Sequence, residues 1–176
     1  MSELLFGDVT CLSSGPGANK TIVDNAVLDM ETAYVDATGR TLPDGLNLGS
    51  GGEIGGLTLT PGLYKWGTDV TIGVTSPANL VLDCQGNSSA VFIFQLDGKL
   101  NVASGKQVTL TNSCQSKNIF WAVAGQTTLG TTSVFNGNIL AGGVSTIALQ
   151  TGATLNGRAL SQFEATLQSN VVNVPV

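Results

Sequence analysis

A period of roughly twenty residues, each carrying three short β-branched segments, constrains this chain more than any other feature of its sequence. From about residue 57 onward the apolar pattern alternates with period two, and Gly, Asn, Ser and Asp interrupt it roughly every eight to twelve residues. The segments align in rows of three. The first row is Leu63–Trp66, Val70–Val74 and Leu80–Asp83, and the second is Val91–Leu96, Leu100–Ala103 and Val108–Thr111. Ile119–Val123, Thr127–Gly130 and Val134–Asn136 follow, then Asn138–Ala141, Ser145–Leu149 and Ala153–Asn156, then Arg158–Ser161, Ala165–Leu167 and Val171–Val174. A single row cannot bury its own apolar side, whereas stacked rows build one continuous core, so the pattern predicts a mainly β chain folded as a solenoid. An antiparallel sandwich is the competing arrangement. The scarcity of tight Asn-Gly hairpins, and the return of Phe135-Asn136-Gly137 as Leu155-Asn156-Gly157 one row later, argue against it.

One stretch has a helical period instead. Between Thr21 and Ala37, the residues Ile22, Ala26, Met30, Ala33 and Ala37 recur at three- and four-residue spacing, Val23, Val27 and Tyr34 widen the stripe, and Asp24, Asp29, Glu31 and Asp36 mostly avoid it. Asn19 or Thr21 is suited to cap its start, and Gly39 to end it. The three strand columns differ in what they leave outside. The first, with Val91-Phe92-Ile93-Phe94 and Ile119-Phe120-Trp121-Ala122-Val123, is apolar on both alternating faces and needs a cover, which the helix supplies. The second points Ile72, Leu100, Val102, Leu129, Ile147, Leu149 and Leu167 inward and leaves small or hydroxylic residues outside: Thr71, Gly73, Asn101, Ala103, Thr128, Gly130, Thr146, Ala148 and Thr166. The third turns Leu80, Leu82, Val108, Leu110, Leu155 and Val172 inward and reads as an ordinary solvated face, with Asn136 and Asn156 as turn residues preceding glycine.

Composition narrows the function. Seven Lys and Arg against twelve Asp and Glu give a net charge of −5, so no basic stripe is available for nucleic acid or an anionic membrane. Histidine is absent, which removes the commonest general base and the usual nucleophile systems, and Asp69, Asp83, Asp97 and Glu164 are scattered among turns with no carboxylate pair. No cofactor or metal site is expected. Cys11, Cys84 and Cys114 fit no metal-ligand spacing; Cys84 and Cys114 follow equivalent strands of adjacent rows, which leaves open a bridge or two free thiols. Asn19 and Asn87 match the glycosylation acceptor pattern, and the N-terminal residues lack the charge and apolar run of a signal peptide.

Several motifs together resemble a known family. They are Asp29-Met30-Glu31-Thr32-Ala33-Tyr34, Thr60-Pro61-Gly62-Leu63-Tyr64, Ala90-Val91-Phe92-Ile93-Phe94-Gln95, Lys117-Asn118-Ile119-Phe120-Trp121, and Thr151-Gly152-Ala153-Thr154-Leu155-Asn156-Gly157-Arg158-Ala159-Leu160. From about Asn19 to the C-terminus the chain resembles the microbial ice-binding, or antifreeze, proteins. The resemblance implies an irregular right-handed β-helix of triangular cross-section with one α-helix packed along one face; the length fits a single domain over residues 1–176, with the helix at about 21–37 and the coils at about 57–176. It also implies secretion, no catalysis, and adsorption to an ice crystal surface that inhibits ice growth and recrystallisation. Carried over position by position, the ice contact falls on the outer side of the second column, with Thr71, Asn101, Thr128, Thr146 and Thr166 in register and Gly73, Ala103, Gly130 and Ala148 between them, bordered by Lys99, Glu164 and Gln168. A non-catalytic adhesin or structural solenoid, an inactive short member of the family, is the alternative. The family carries further strands before its helix, whereas this chain reaches its helix by about Thr21: either the sequence is a truncated product or fragment, or Ser2–Ser14 replaces the missing segment, with Leu4-Leu5-Phe6 and Val9 covering some of the exposed core. A monomer is expected, with self-association through any solenoid edge left uncovered.

Overall fold

The computed structural model describes residues 18–176. Helix α1 (Ala18–Gly39) leads into strands that are parallel throughout their ladders. The first sheet has six strands, β1 (Gly45–Leu46), β3 (Gly62–Trp66), β6 (Phe92–Leu96), β9 (Ile119–Val123), β12 (Asn138–Ala141) and β15 (Ala159–Ser161). The second has five, β4 (Val70–Ile72), β7 (Leu100–Val102), β10 (Thr127–Leu129), β13 (Thr146–Leu149) and β16 (Glu164–Leu167). On the third side lie two three-stranded sheets, β2 (Thr58–Leu59), β5 (Leu80–Asp83) and β8 (Val108–Thr111), then β11 (Val134–Asn136), β14 (Thr154–Asn156) and β17 (Val171–Asn173). The chain is a three-sided β-solenoid with one helix, and the predicted rows are its coils.

The third side is therefore split where the sequence pattern reads a single column. Among the described residues its halves share no ladder: an isolated bridge between Gln107 and Val134 joins them, with the Asn136 side-chain amide donating to the Val108 carbonyl beside it. Strand β8 runs out into Asn112 and Ser113, both at positive φ, while β11 ends against Gly137 at φ 120°, so the two strands diverge without forming a ladder. The coils also begin earlier than the period suggests. The Gly-rich passage before residue 57 forms an incomplete first coil: Gly45 and Leu46 pair with Tyr64 and Lys65, Glu53 bridges Thr71, and Thr58 and Leu59 pair with Val81 and Leu82.

Inside, register stacks like on like. Tyr64, Phe94 and Trp121 occupy successive coils in the first sheet, and the Phe94 and Trp121 rings stack with centroids 3.9 Å apart. Ile72, Val102, Leu129 and Leu149 do the same in the second sheet and are all buried. The helix lies on the outer side of the first sheet, where Ala37 meets Ile93, Ala122 and Leu140, with Tyr34, Phe120 and Leu160 packed around them. Among its described side chains Met30 and Ala37 are buried and Tyr34 is half-buried; Ala33, expected in the stripe, is exposed. Tyr34 takes that place because Gly142 leaves room for its ring: a Cβ at Gly142 would collide with the Tyr34 Cζ and hydroxyl. Ile22 and Val23 lie in the helix, but their side chains fall outside the described residues, as do Cys11 and Ser2–Ser14.

Both helix ends differ from the predicted caps. Asn19 and Thr21 lie within the helix, and Gly39 is its last residue with no positive φ. The C-terminal carbonyls are met from the sheet instead: buried Gln95 donates from Nε2 to the carbonyls of Ala37 at 2.7 Å and Arg40 at 2.9 Å. Cys84 and Cys114 form a disulfide across β5 and β8, with Cα atoms 5.1 Å apart.

Candidate functional site

The outer side of the five-stranded sheet carries every candidate contact residue, but the register rearranges them. Thr71 pairs with Asn101, Asn101 with Thr128, Thr128 with Ala148, and Ala148 with Thr166. The central row is thus Thr71, Asn101, Thr128, Ala148, Thr166, one residue from each strand and none of them charged. Thr146, expected in this row, is not in it. It pairs with Glu164, one step along the strand, in a marginal row that the two-residue alternation continues to Gln126, Lys99 and Asp69. The correction follows from strand parity: β13 offers two outward positions, and its register with β10 puts Ala148, not Thr146, opposite Thr128.

The row on the other side holds Gly73, Ala103 and Gly130, followed by Gln150 and Gln168. Gly73 is not open to a ligand over its whole surface. The stem of Lys106 lies across it, close enough that a Cβ at Gly73 would strike Lys106 Cγ and Cδ, and the Lys106 ammonium donates to the Pro77 carbonyl at 2.8 Å. Gly130 is buried against the backbone of Val102, Ala103 and Ser104. These small residues make a low shelf beside a central row in which Asn101 and Thr166 are exposed and Thr71, Thr128 and Ala148 are half-buried. With coils about 4.8 Å apart and alternate residues about 6.6 Å apart, the face is a shallow lattice of methyls, hydroxyls and one amide.

At its leading end stands a residue the sequence pattern does not single out. Glu53 continues the central row past Thr71, yet it is buried, and its carboxylate accepts hydrogen bonds from the Gly55, Gly73, Val74 and Thr75 amides and from the Thr71 hydroxyl. Burial opposes its ionisation, but those donors outweigh it and hold the carboxyl at about 2. Elsewhere, burial first and the charge of Asp97 second push the Tyr34 hydroxyl above its ordinary range. The Gln85 amide and the Asn112 side chain hold the Asp83 carboxyl below its own.

On the third side, Asn136 and Asn156 are strand residues and not positive-φ turn residues; of the two glycines that follow, only Gly137 has positive φ. Their amides form a ladder, with Asn173 donating to Asn156, Asn156 to Asn136, and Asn136 to the Val108 carbonyl. A cleft of about 480 Å³ beside the end of α1 is lined by Arg40, Leu42, Leu63, Val91 and Ile93 among others. Among the described residues no three His, Cys, Asp or Glu side chains are grouped to hold a metal ion, and no helix is long and apolar enough to cross a membrane.

The model of the family described as ice-binding-like matches residues 2–173. The chain is 49% identical over 150 residues to an ice-binding protein of Flavobacterium frigoris (strain PS1), covering 85% of this chain and 51% of that protein. It is 45% identical over 169 residues to an ice-binding protein of a Colwellia species, covering 96% of this chain and 62% of that protein. It therefore spans about half to three-fifths of the length of these relatives. Among solved structures, an ice-binding protein from an Arctic yeast, described for its antifreeze activity, superposes with a TM-score of 0.84 at 39% identity, covering 93% of this chain and 67% of that one. The ice-binding domain structure from Shewanella frigidimarina gives 0.78 at 33% identity, covering 90% and 66%.

Proposed function

The chain belongs to the ice-binding-like family, and on that footing we propose that it adsorbs to ice through the outer side of its five-stranded sheet and so inhibits ice growth and recrystallisation. The observation that carries this reading is the central row: five side chains in strand register, Thr71, Asn101, Thr128, Ala148 and Thr166, with no charge among them. Hydroxyls and the Asn101 amide anchor hydration water while methyls space it, and the absence of ionised groups leaves that water free to order. Ala103 and Gly130 extend the contact as a low shelf, Gly73 contributes only beside Lys106, and Thr146 sits at the charged margin.

Each such contact is weak, so adsorption depends on many of them presented on a rigid surface. The stacked coils supply that rigidity, because every strand of the face is paired on both sides or closes an end of the sheet. Nothing in adsorption makes or breaks a covalent bond, so we assign no catalytic residue. The partner is the crystal surface, and the working form is a monomer. The Cys84–Cys114 disulfide suits an oxidising compartment, which supports an extracellular site of action.

Thermal hysteresis and ice-crystal shape, measured on the purified chain, test the proposal. Thr128→Tyr and Ala148→Tyr each raise a ring in the middle of the row and are expected to abolish shaping, while Thr154→Tyr on the third side leaves it intact, all with unchanged circular dichroism. Equal activity in all three variants would overturn the assignment of the face.

A further inference from the structure

We propose that Glu53 is a positioning residue for the ice-contacting row, fixing the Thr71 side chain and the Gly73–Thr75 turn so that the row begins in a defined geometry. This rests on the reading of that row as the ice contact. The placement of Glu53 is unexpected for such a face: it follows Thr71 in the parallel register, where an open carboxylate would hold water tightly around a charge. Instead it is only 8% exposed, and both oxygens face the protein. Oε1 accepts from the Gly55 amide at 2.7 Å and the Gly73 amide at 2.8 Å. Oε2 accepts from the Val74 and Thr75 amides, both at 2.9 Å, and from the Thr71 hydroxyl at 3.1 Å.

Two consequences reach the face. The Thr71 hydroxyl spends its one proton on Glu53, so toward the outside it offers lone pairs only, and the bond selects one orientation for its methyl. The chain also leaves β4 through Gly73 at φ +77°, a conformation that needs its own support, and three consecutive amides from Gly73 to Thr75 are gathered on the single carboxylate. The Lys106 stem lies over Gly73 in this turn, with its ammonium donating to the Pro77 carbonyl. One hidden anion thus settles a hydroxyl and a turn at the leading edge, and contributes no exposed charge itself. A surface recognised through many weak contacts gains from this preorganisation.

The test uses the full chain with Glu53→Gln, Thr71→Val and the double variant, read by thermal hysteresis and by amide hydrogen exchange. In Glu53→Gln the Gly73, Val74 and Thr75 amides should exchange at least about tenfold faster while the amides of β15 to β17 keep their protection. Hysteresis at equal concentration should fall severalfold in Glu53→Gln and in Thr71→Val. The double variant should be no worse than the less active single variant, because the Thr71–Glu53 hydrogen bond is the link both changes remove. Faster exchange with parental hysteresis would overturn the proposal, leaving Glu53 a turn support only. Additive losses would also overturn it. Thr71→Val with full activity would overturn it even if Glu53→Gln failed to fold. Failure of the face itself is read separately: Thr128→Tyr would then keep parental hysteresis, and the exchange result would still report the Glu53 contacts.

Discussion

Reduction of the Cys84–Cys114 bridge offers a quantitative test of how the coils are held. The bridge spans a sequence separation of 30, so in the unfolded chain it closes a loop of that size and removes about 3.6 kcal/mol of conformational freedom. In the folded chain little changes when it opens. The Cα atoms are already fixed 5.1 Å apart by the β5–β8 ladder, and the Cys114 sulfur also sits against the Leu82 carbonyl at 3.3 Å. Cys84 is only 1% exposed, so its thiol remains packed after reduction, and no cavity accompanies the loss. The expected cost is therefore about 3 kcal/mol, reduced by whatever compactness the denatured chain retains. Urea unfolding followed by circular dichroism, with and without reductant, reads it directly. With a slope of about 2 kcal/mol per molar, the midpoint should fall by about 1.5 M. Alkylation and mass measurement establish that both thiols were free. A shift below about 0.3 M in fully reduced protein would refute the reasoning, because the bridge would then remove little conformational freedom from the denatured chain.

Glu53 predicts an acid-sensitive component of stability. Its carboxyl is held at about 2 in the fold against an ordinary 4.5, so its contribution is complete above about pH 4.5 and is lost as pH falls through about 2. Thermal melts over that window should show a loss on the order of 2 kcal/mol that Glu53→Gln lacks. Gln95→Leu removes the donor that meets the Ala37 and Arg40 carbonyls and should cost about 2 kcal/mol, with faster amide exchange in the last turns of α1. Gly157→Ala places a methyl against the Gly137 carbonyl of the neighbouring coil, where only backbone could yield, and should lower the unfolding midpoint by an amount worth more than about 2 kcal/mol. Parental stability in that variant would mean the coils separate more easily than the ladder implies.

The coils were legible because burial repeats. Every row needs an inward residue at each alternate strand position, so Ile72, Val102, Leu129 and Leu149 announce the solenoid through periodicity alone. Register was less legible. Thr146 and Ala148 are both outward on β13, and only the pairing with β10 shows that Ala148 continues the row of Thr128. Polar residues that work through long-range hydrogen bonds were the least legible. Gln95 lies 58 positions from the Ala37 carbonyl it caps, and Glu53 lies 20 from the Gly73 amide, so no local pattern marks either. The asparagine ladder sits between these cases. Its repeat is visible as Asn136-Gly137 and Asn156-Gly157, but that dipeptide reads more readily as a turn than as stacked amides.

The three sides divide the work by what each leaves outward. The first presents Ile93, Phe120, Ala122 and Leu140, too apolar to face water, and the helix covers it. The third carries Asn136, Asn156 and Asn173, which satisfy one another's amides along the stack and make a wet, self-sufficient surface. The central row of the second, with the shelf from Gly73 to Gly130, holds residues that neither demand cover nor carry charge, and this is a narrow class: Thr, Ala, Gly and a single Asn. Keeping such a face open carries a stability cost, since a bare small-residue sheet buries little apolar area on its outer side. The inner side offsets it with a continuous stack of large side chains, so the face can stay neutral, low and rigid without contributing to the core. Charge is then confined to places where it cannot disturb the row. Asp69, Lys99 and Glu164 stand at the margin, and Glu53, among the described residues the one acid aligned with the row, is turned inward and fully engaged.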